Sequence, residues 1–123
     1  MARVLVIDDE EGYRSAMRRA LELDGHDVSV APEGASGIAM LKPQPPDVVI
    51  CDLFMPGLEG LTAIRMIRRD FPELPIIAVS GAVPLMTADM LRAAATFGAA
   101  KTLRKPFDEV ALLAAVREVL GGF

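Results

Sequence analysis

Short apolar runs alternate along this chain with longer segments in which apolar residues recur at helical spacing. Residues 4–7, 48–51 and 76–79 are unbroken apolar runs, which are typical of strands buried on both faces of a parallel sheet. Residues 27–31 alternate between apolar and polar side chains, which predicts a weaker strand at or near an edge. A short fifth strand is predicted over 100–103, before a Lys-Pro pair.

The segments between these runs have the three- and four-residue spacing of amphipathic helices. Helices are predicted around 13–21, 35–41, 61–71, 84–95 and 108–120. The arginines of the first and third helices lie opposite the apolar stripe and are expected to be solvated. Five strand–helix alternations predict one domain over residues 1–123, an α/β doubly wound fold with helices on both faces of a parallel sheet.

Composition narrows the function classes. Hydrophobic residues make up 52% of the 123 residues, which excludes a disordered chain, and the formal charge of −4 gives no basic surface for direct nucleic-acid binding. The single cysteine, Cys51, offers no disulfide framework, and no apolar stretch approaches the length of a membrane span. Without a recognisable leader before the first strand, the expected location is the cytoplasm.

Polar residues follow the predicted strands where each one ends. Asp8 and Asp9 follow the first strand, Asp52 the third, Ser80 the fourth and Lys105 the fifth. In doubly wound folds the ligand site lies beyond the carboxyl ends of the strands, so these side chains should meet on one rim.

The chemistry of this set favours phosphoryl transfer. Clustered carboxylates repel one another, and a bound Mg²⁺ would relieve the repulsion with the oxygen ligands that it prefers. Asp52 could attack phosphorus and form an acyl phosphate, while Ser80 and Lys105 meet the charge on the phosphoryl oxygens. Taken singly, Asp8-Asp9 could be a helix cap, Ser80 a loop residue and Lys105 a surface charge. Their joint placement at four strand ends makes that interpretation a poor one.

Four segments together carry a family resemblance. They are 6–10 (VIDDE), 52–60 (DLFMPGLEG), 79–82 (VSGA) and 98–107, which ends in LRKPF. With these segments the chain resembles the response-regulator receiver domains of two-component signalling along its whole length. The resemblance implies the flavodoxin-like (βα)5 fold with strand order 2-1-3-4-5.

The resemblance also implies roles for particular residues. Asp52 would be the phosphoacceptor, taking a phosphoryl group from a phosphohistidine on a histidine kinase or a histidine phosphotransfer protein. Asp8 and Asp9 would hold Mg²⁺, or Mn²⁺, together with Asp52 and the backbone carbonyl of Phe54.

Ser80 would bind a phosphoryl oxygen and shift toward it, and Lys105 would pair with the phosphoryl group. Pro106 would follow a cis peptide bond from Lys105. Family members often carry Tyr or Phe three residues before this lysine, as part of the switch with the hydroxyl residue, but here the position is Thr102. The response to phosphorylation is therefore expected to be smaller, or to be carried by the loop after the fourth strand.

The expected protein is a signalling phosphoacceptor and not an enzyme, since it would catalyse only its own phosphorylation and dephosphorylation. Its output surface would be the fourth helix, fifth strand and fifth helix, which would bind a downstream protein target. The chain is expected to be a monomer or a weak dimer that contacts neither nucleic acid nor membrane. A receiver fragment of a longer regulator or hybrid kinase, and a non-phosphorylated pseudo-receiver, stay open as alternatives.

Two rivals from other classes fit the residues less well. A phosphatase with an aspartyl nucleophile would need an acid–base carboxylate two residues beyond Asp52, where Phe54 stands. A flavodoxin-like cofactor binder would need a phosphate loop rich in Ser, Thr or Gly after the first strand. Residues 8–11 are all acidic and would repel a phosphate there.

Overall fold

The computed structural model of this chain describes residues 2–54, 60–81 and 84–121. Across these residues five strands alternate with five helices. In chain order they are β1 Arg3–Ile7, α1 Glu11–Leu23, β2 Asp27–Ala31, α2 Gly34–Ala39, β3 Val48–Asp52, α3 Gly60–Asp70, β4 Ile76–Ser80, α4 Pro84–Thr96, β5 Lys101–Arg104 and α5 Glu109–Val119.

All strand pairings are parallel, and the sheet order is β2-β1-β3-β4-β5. The predicted α/β flavodoxin-like fold with order 2-1-3-4-5 is confirmed, and β2 lies at an edge as its alternating pattern indicated. The order in which successive strands are added to the sheet reverses between β1 and β3, which is the switch point where such folds bind ligands.

The sheet separates two hydrophobic clusters, one on each face. Successive residues of the central strands point to opposite faces, so Val49 and Cys51 of β3 join one cluster and Val48 and Ile50 join the other. Every residue of β3 and β4 is buried. This two-sided burial is the reason that these strands read as continuous apolar runs.

Two helix ends follow local rules. Gly25, at a φ of 91°, lies just beyond α1 in a left-handed conformation that suits glycine. Asp108 caps α5 because its Oδ1 accepts a hydrogen bond of 2.9 Å from the N–H of Ala111. The predicted fifth strand is shifted by one residue, since β5 runs from Lys101 to Arg104.

The expectation that the third-helix arginines are solvated is wrong for Arg68. Its guanidinium donates to the carbonyl oxygens of Phe71 at 3.2 Å, Pro72 at 2.7 Å and Gly98 at 2.8 Å. Arg68 therefore binds the end of α3 to the turn between α4 and β5. The neighbouring Arg65 lies over the ring of Phe97, 5.1 Å from its centroid.

Candidate functional site

Two buried carboxylates lie side by side at the carboxyl ends of β1 and β3. Ile7 is the register partner of Cys51, so the next residues, Asp8 just beyond β1 and Asp52 at the end of β3, lie at the same level of the sheet. Asp8 is 0% exposed and Asp52 is 2% exposed. Two carboxylates so far from water require a compensating cation or proton.

Lys105 supplies positive charge at this point. Its Nζ lies 3.1 Å from Oδ2 of Asp8, 3.2 Å from Oε1 of Glu10 and 3.5 Å from Oδ2 of Asp52. The lysine side chain is itself only 7% exposed. One ammonium thus faces three carboxylates in a site with little water, where charge interactions are stronger than at the surface.

Gly81 makes room for this lysine. A Cβ on Gly81 would overlap the Cβ of Lys105, so the residue after β4 must be small for the lysine to cross the end of that strand. Gly60 does the same for Asp52, because a Cβ there would overlap the carbonyl oxygen of Asp52 and the Cα of Leu53. The first residue of α3 therefore lies directly against the end of β3.

Backbone N–H groups hold one oxygen of each buried carboxylate. Oδ1 of Asp8 accepts from the N–H of Glu10 at 2.9 Å, and Oδ1 of Asp52 accepts from the N–H of Phe54 at 3.3 Å. The Oδ2 atoms are the ones that face Lys105. These turns orient both carboxylates toward the same point.

The charges set the protonation of the site. Burial, followed by the charge of Asp8, raises the pKa of Asp52 to about 7, against the lowering effect of Lys105. Burial lowers the pKa of Lys105, but the carboxylates of Asp52 and Asp8 outweigh it, so this pKa is raised. One ammonium does not neutralise the cluster, and an added cation would favour the ionised form of Asp52.

Two buried oxygens at this site have no hydrogen-bond partner within the described part of the chain, namely Oγ of Ser80 and Oδ2 of Asp8. The Asp8 oxygen is close to the ammonium of Lys105 but is not aligned for a hydrogen bond. Ser80 is 0% exposed and is the last residue of β4. Since buried polar atoms are nearly always paired, the Ser80 hydroxyl marks a place for a ligand.

The acidic group that could hold a metal ion is not quite the expected set. Carboxylate oxygens of Asp8, Glu10 and Asp52 lie within 4.8 Å of one another. Asp9 is exposed and does not belong to this group, and its role as a ligand stays a prediction, as does that of the Phe54 carbonyl. Sequence reasoning missed Glu10, although it is the next residue of the same acidic run.

The sequence profile of the response regulator receiver domain matches residues 4–117. The chain belongs to this family. The acidic pocket of Asp8, Glu10 and Asp52 is typical of the phosphoacceptor sites of two-component response regulators.

Relatives of this receiver domain include long and short proteins. It is 35% identical over 120 residues to the transcriptional regulatory protein CseB of Streptomyces coelicolor, covering 98% of this chain and 50% of CseB. Protein PilH of Pseudomonas aeruginosa is 34% identical over 122 residues, covering 99% of this chain and 100% of PilH. The chain therefore spans about half of one relative and the whole of the other.

A solved structure supports the same assignment. The response regulator receiver domain protein from Clostridium thermocellum superposes with a TM-score of 0.90 at 32% identity, over 98% of this chain and 95% of that one. Within the described residues of this receiver domain, every helix is too short or too polar to cross a bilayer.

Other residues with an expected role are placed as follows. The Lys105–Pro106 peptide bond is cis, as the resemblance implied. Thr102 lies exposed on β5 and is in register with Ala78. Residues 55–59 and 82–83, which include much of the Met-Pro-Gly motif and the loop after β4, lie outside the described residues, as do the side chains of 84–87, Met86 among them.

Tyr13 is an aromatic residue at the site that was not predicted from the sequence. The ring centroid of Tyr13 lies 4.2 Å from Nζ of Lys105, and 5.8 Å from the ring centroid of Phe107. Tyr13 had the spacing of an ordinary inward helix residue, and nothing in that spacing signalled the lysine. Cys51 is buried, and burial followed by the nearby Asp52 and Asp8 charges raises its pKa to about 12.

Proposed function

We propose that this receiver domain is the phosphoacceptor of a two-component phosphorelay, with Asp52 as the residue that is phosphorylated. The donor is a phosphohistidine on a histidine kinase or a histidine phosphotransfer protein. The observation that carries the proposal is the position of the Asp52 carboxylate. It is buried, faces the Lys105 ammonium, and shares its rim with the Ser80 hydroxyl, which has no hydrogen-bond partner among the described residues.

The covalent step is a transfer between two nucleophiles. An oxygen of Asp52 forms a bond to phosphorus, and the bond from phosphorus to the imidazole nitrogen of the donor breaks. The imidazole leaves with the electron pair of that bond and takes up a proton. The product is an acyl phosphate, in which the new negative charge lies within reach of Lys105.

Lys105 and Ser80 stabilise the phosphoryl group in this scheme. The ammonium, now shared among three carboxylates, pairs with a phosphoryl oxygen, and the Ser80 hydroxyl donates a hydrogen bond to another. Both groups are already desolvated, so their interactions with developing charge are strong and need little rearrangement of solvent.

The donor set fits a divalent cation. It consists of carboxylate oxygens, of which Oδ2 of Asp8 is buried with no hydrogen bond from any of the described residues, and Mg²⁺ prefers such oxygen ligands. Asp8 and Asp52 would hold Mg²⁺ or Mn²⁺, with Asp9 and the Phe54 carbonyl completing the protein ligands. The cation would supply the positive charge that the carboxylates need in addition to that of Lys105.

The output is a protein contact and not a catalysed reaction on another substrate. We place it on the surface formed by α4, β5 and α5, which a downstream protein target would recognise. Thr102 lies on that surface at the position where family members often have Tyr or Phe. The change in that surface on phosphorylation therefore depends on the hydroxyl of Ser80. The extent of the domain over 1–123, the monomeric or weakly dimeric state and the cytoplasmic location stay predictions.

Phosphorylation tests the assignment directly. With Mg²⁺ and acetyl phosphate, the intact mass of the chain should rise by one phosphoryl group, and hydroxylamine should release it as expected of an acyl phosphate. Asp52→Ala should take up nothing, whereas Asp70→Ala, which removes an exposed carboxylate from the end of α3, should label as the unchanged chain does. Labelling of the Asp52→Ala variant would show that the assignment is wrong.

A further inference from the structure

Two residues at the start of α1 contact the ammonium of Lys105. Glu10 is the N-cap of α1 and Tyr13 lies one turn later, so their side chains share a helix face. Oε1 of Glu10 is 3.2 Å from Nζ of Lys105, and the Tyr13 ring centroid is 4.2 Å from it. We call this pair the α1 clasp.

Glu10 is a competitor for the lysine. Its carboxylate lies slightly closer to Nζ than the Asp52 carboxylate does, at 3.2 Å against 3.5 Å. The Glu10 side chain is 54% exposed, so it can move from Lys105 into solvent with little loss of free energy. A phosphoryl group on Asp52 must draw the ammonium to itself, and every contact with Glu10 opposes that movement.

Tyr13 works from a fixed position. Its ring packs against Phe107 with an interplanar angle of 46°, and Phe107 follows the Lys105–Pro106 pair directly in the chain. The face of an aromatic ring attracts a cation within about 6 Å of its centroid. The ring therefore favours the position that Lys105 has in the absence of a phosphoryl group.

We propose that the α1 clasp restrains Lys105 and thereby weakens the binding of the phosphoryl group at Asp52. This inference rests on the proposed function. It means that Glu10 and Tyr13 determine how readily this receiver domain enters its phosphorylated state. Both are positioning residues, because they act through Lys105.

Beryllium trifluoride with saturating Mg²⁺, a mimic of the phosphorylated carboxylate, measures the effect without hydrolysis. Glu10→Gln should bind the mimic about threefold more tightly, which is the strength of a partly exposed ion pair. Glu11→Gln is the matched control: it removes the same charge from the same turn, where Glu11 is exposed and is not one of the carboxylates that pair with Lys105 among the described residues. The control should bind as the unchanged chain does.

The role of Tyr13 can be tested with a conservative variant that keeps the aromatic ring. Tyr13→Leu should also tighten binding of the mimic, whereas Tyr13→Phe, which keeps the ring face, should not. In the unchanged chain Tyr13 is the single tyrosine and there is no tryptophan, so tyrosine fluorescence should change as Lys105 leaves the ring.

The outcomes separate the two proposals. If the unchanged chain neither binds the mimic nor accepts phosphoryl from acetyl phosphate, the proposed function fails. If it does both, and Glu10→Gln binds the mimic equally or less tightly, the clasp is refuted while the function stands. Weaker binding would mark Glu10 as a group that the phosphorylated site needs, such as a metal ligand. Equal tightening in Glu11→Gln would reduce the effect to net charge and would also overturn the clasp.

Discussion

Lys105 and Asp8 form a buried ion pair with a nitrogen–oxygen distance of 3.1 Å, although they lie near opposite ends of the chain. Asp8 leaves the sheet after β1 and Lys105 after β5, and two strands lie between these in the sheet. The pair therefore closes the rim over the ends of β3 and β4, where Asp52 and Ser80 are located. Loss of this ion pair should lower the stability of the fold and change the chemistry of the site.

Replacing Lys105 by Met should leave Asp8 and Asp52 buried without their cation. In metal-free buffer at pH 8 we expect the free energy of unfolding to fall by about 3 kcal/mol. At pH 5.5, protonation of Asp52, whose pKa is about 7, should reduce that loss. Urea denaturation at both pH values measures it. Lys101→Met, which breaks a more exposed ion pair with Glu118, should cost less and change less with pH.

Asp52→Asn should stabilise the metal-free chain, and more so as pH rises. The pKa of Asp52 is raised from 3.8 to about 7 in the folded chain. Between these values the folded state keeps a proton that the unfolded state has lost, so stability falls as pH rises through this window. The variant avoids this loss. Its advantage should grow from near zero at pH 4 to at most about 4 kcal/mol at pH 8.

Denaturation curves across that range, with EDTA present, measure the advantage. Asp70→Asn removes one exposed charge and serves as the control for net charge. With Mg²⁺ in place of EDTA, the difference in unfolding free energy at pH 8 should become smaller, because only the unchanged chain has the Asp52 carboxylate to bind the cation. A difference between the Asp52→Asn and unchanged chains that stays constant with pH would contradict the assigned cause.

Gly81→Ala and Gly12→Ala should have opposite effects. The new methyl group at Gly81 would overlap the Lys105 side chain, while at Gly12, inside α1, it would meet none of the described residues within 4 Å. We expect Gly81→Ala to destabilise the fold by about 1–3 kcal/mol and to slow phosphorylation by acetyl phosphate. Gly12→Ala should stabilise it by about 0.5–1 kcal/mol through helix propensity. Thermal unfolding distinguishes the two, and equal shifts would exclude the steric explanation.

Arg68→Met should destabilise the fold without altering the phosphoacceptor chemistry. It removes hydrogen bonds to the carbonyls of Phe71 and Pro72, just after α3, and of Gly98 in the turn before β5, for a loss of about 1–2 kcal/mol. The neighbouring Arg69 is 70% exposed, and Arg69→Met should cost little. A large drop in phosphorylation rate in the Arg68 variant, measured on folded protein, would point to a role beyond structure.

Thr102 allows a test of the switch. With a threonine exposed on β5, no ring can turn inward from this position, so amide shifts of α4 and β5 on adding Mg²⁺ and beryllium trifluoride should be small. Thr102→Tyr should enlarge them. Large shifts in the unchanged chain would refute the expectation of a smaller response.

The sequence was sufficient for the fold and for four strand ends. Continuous apolar runs indicate strands that are buried on both faces, and apolar residues at helical spacing indicate helices with one buried face. The strands, the helices and the parallel sheet therefore follow from the local sequence pattern. Asp8, Asp52, Ser80 and Lys105 could be placed on one rim because the carboxyl ends of parallel strands share an edge. The boundary of β5 differed by one residue, since an edge strand with one half-buried face has a weak pattern.

Only the tertiary structure decided which side chains meet. Glu10, and not Asp9, lies with Asp8 and Asp52, because the turn into α1 sets the direction of each side chain. Tyr13, Gly81 and Arg68 have ordinary local patterns, and their partners are distant in sequence. Their contacts depend on the register of the strands and on how the helices pack across the sheet. Local sequence thus determined the elements and the chemistry available at their ends, and packing determined which groups share the charge of Lys105.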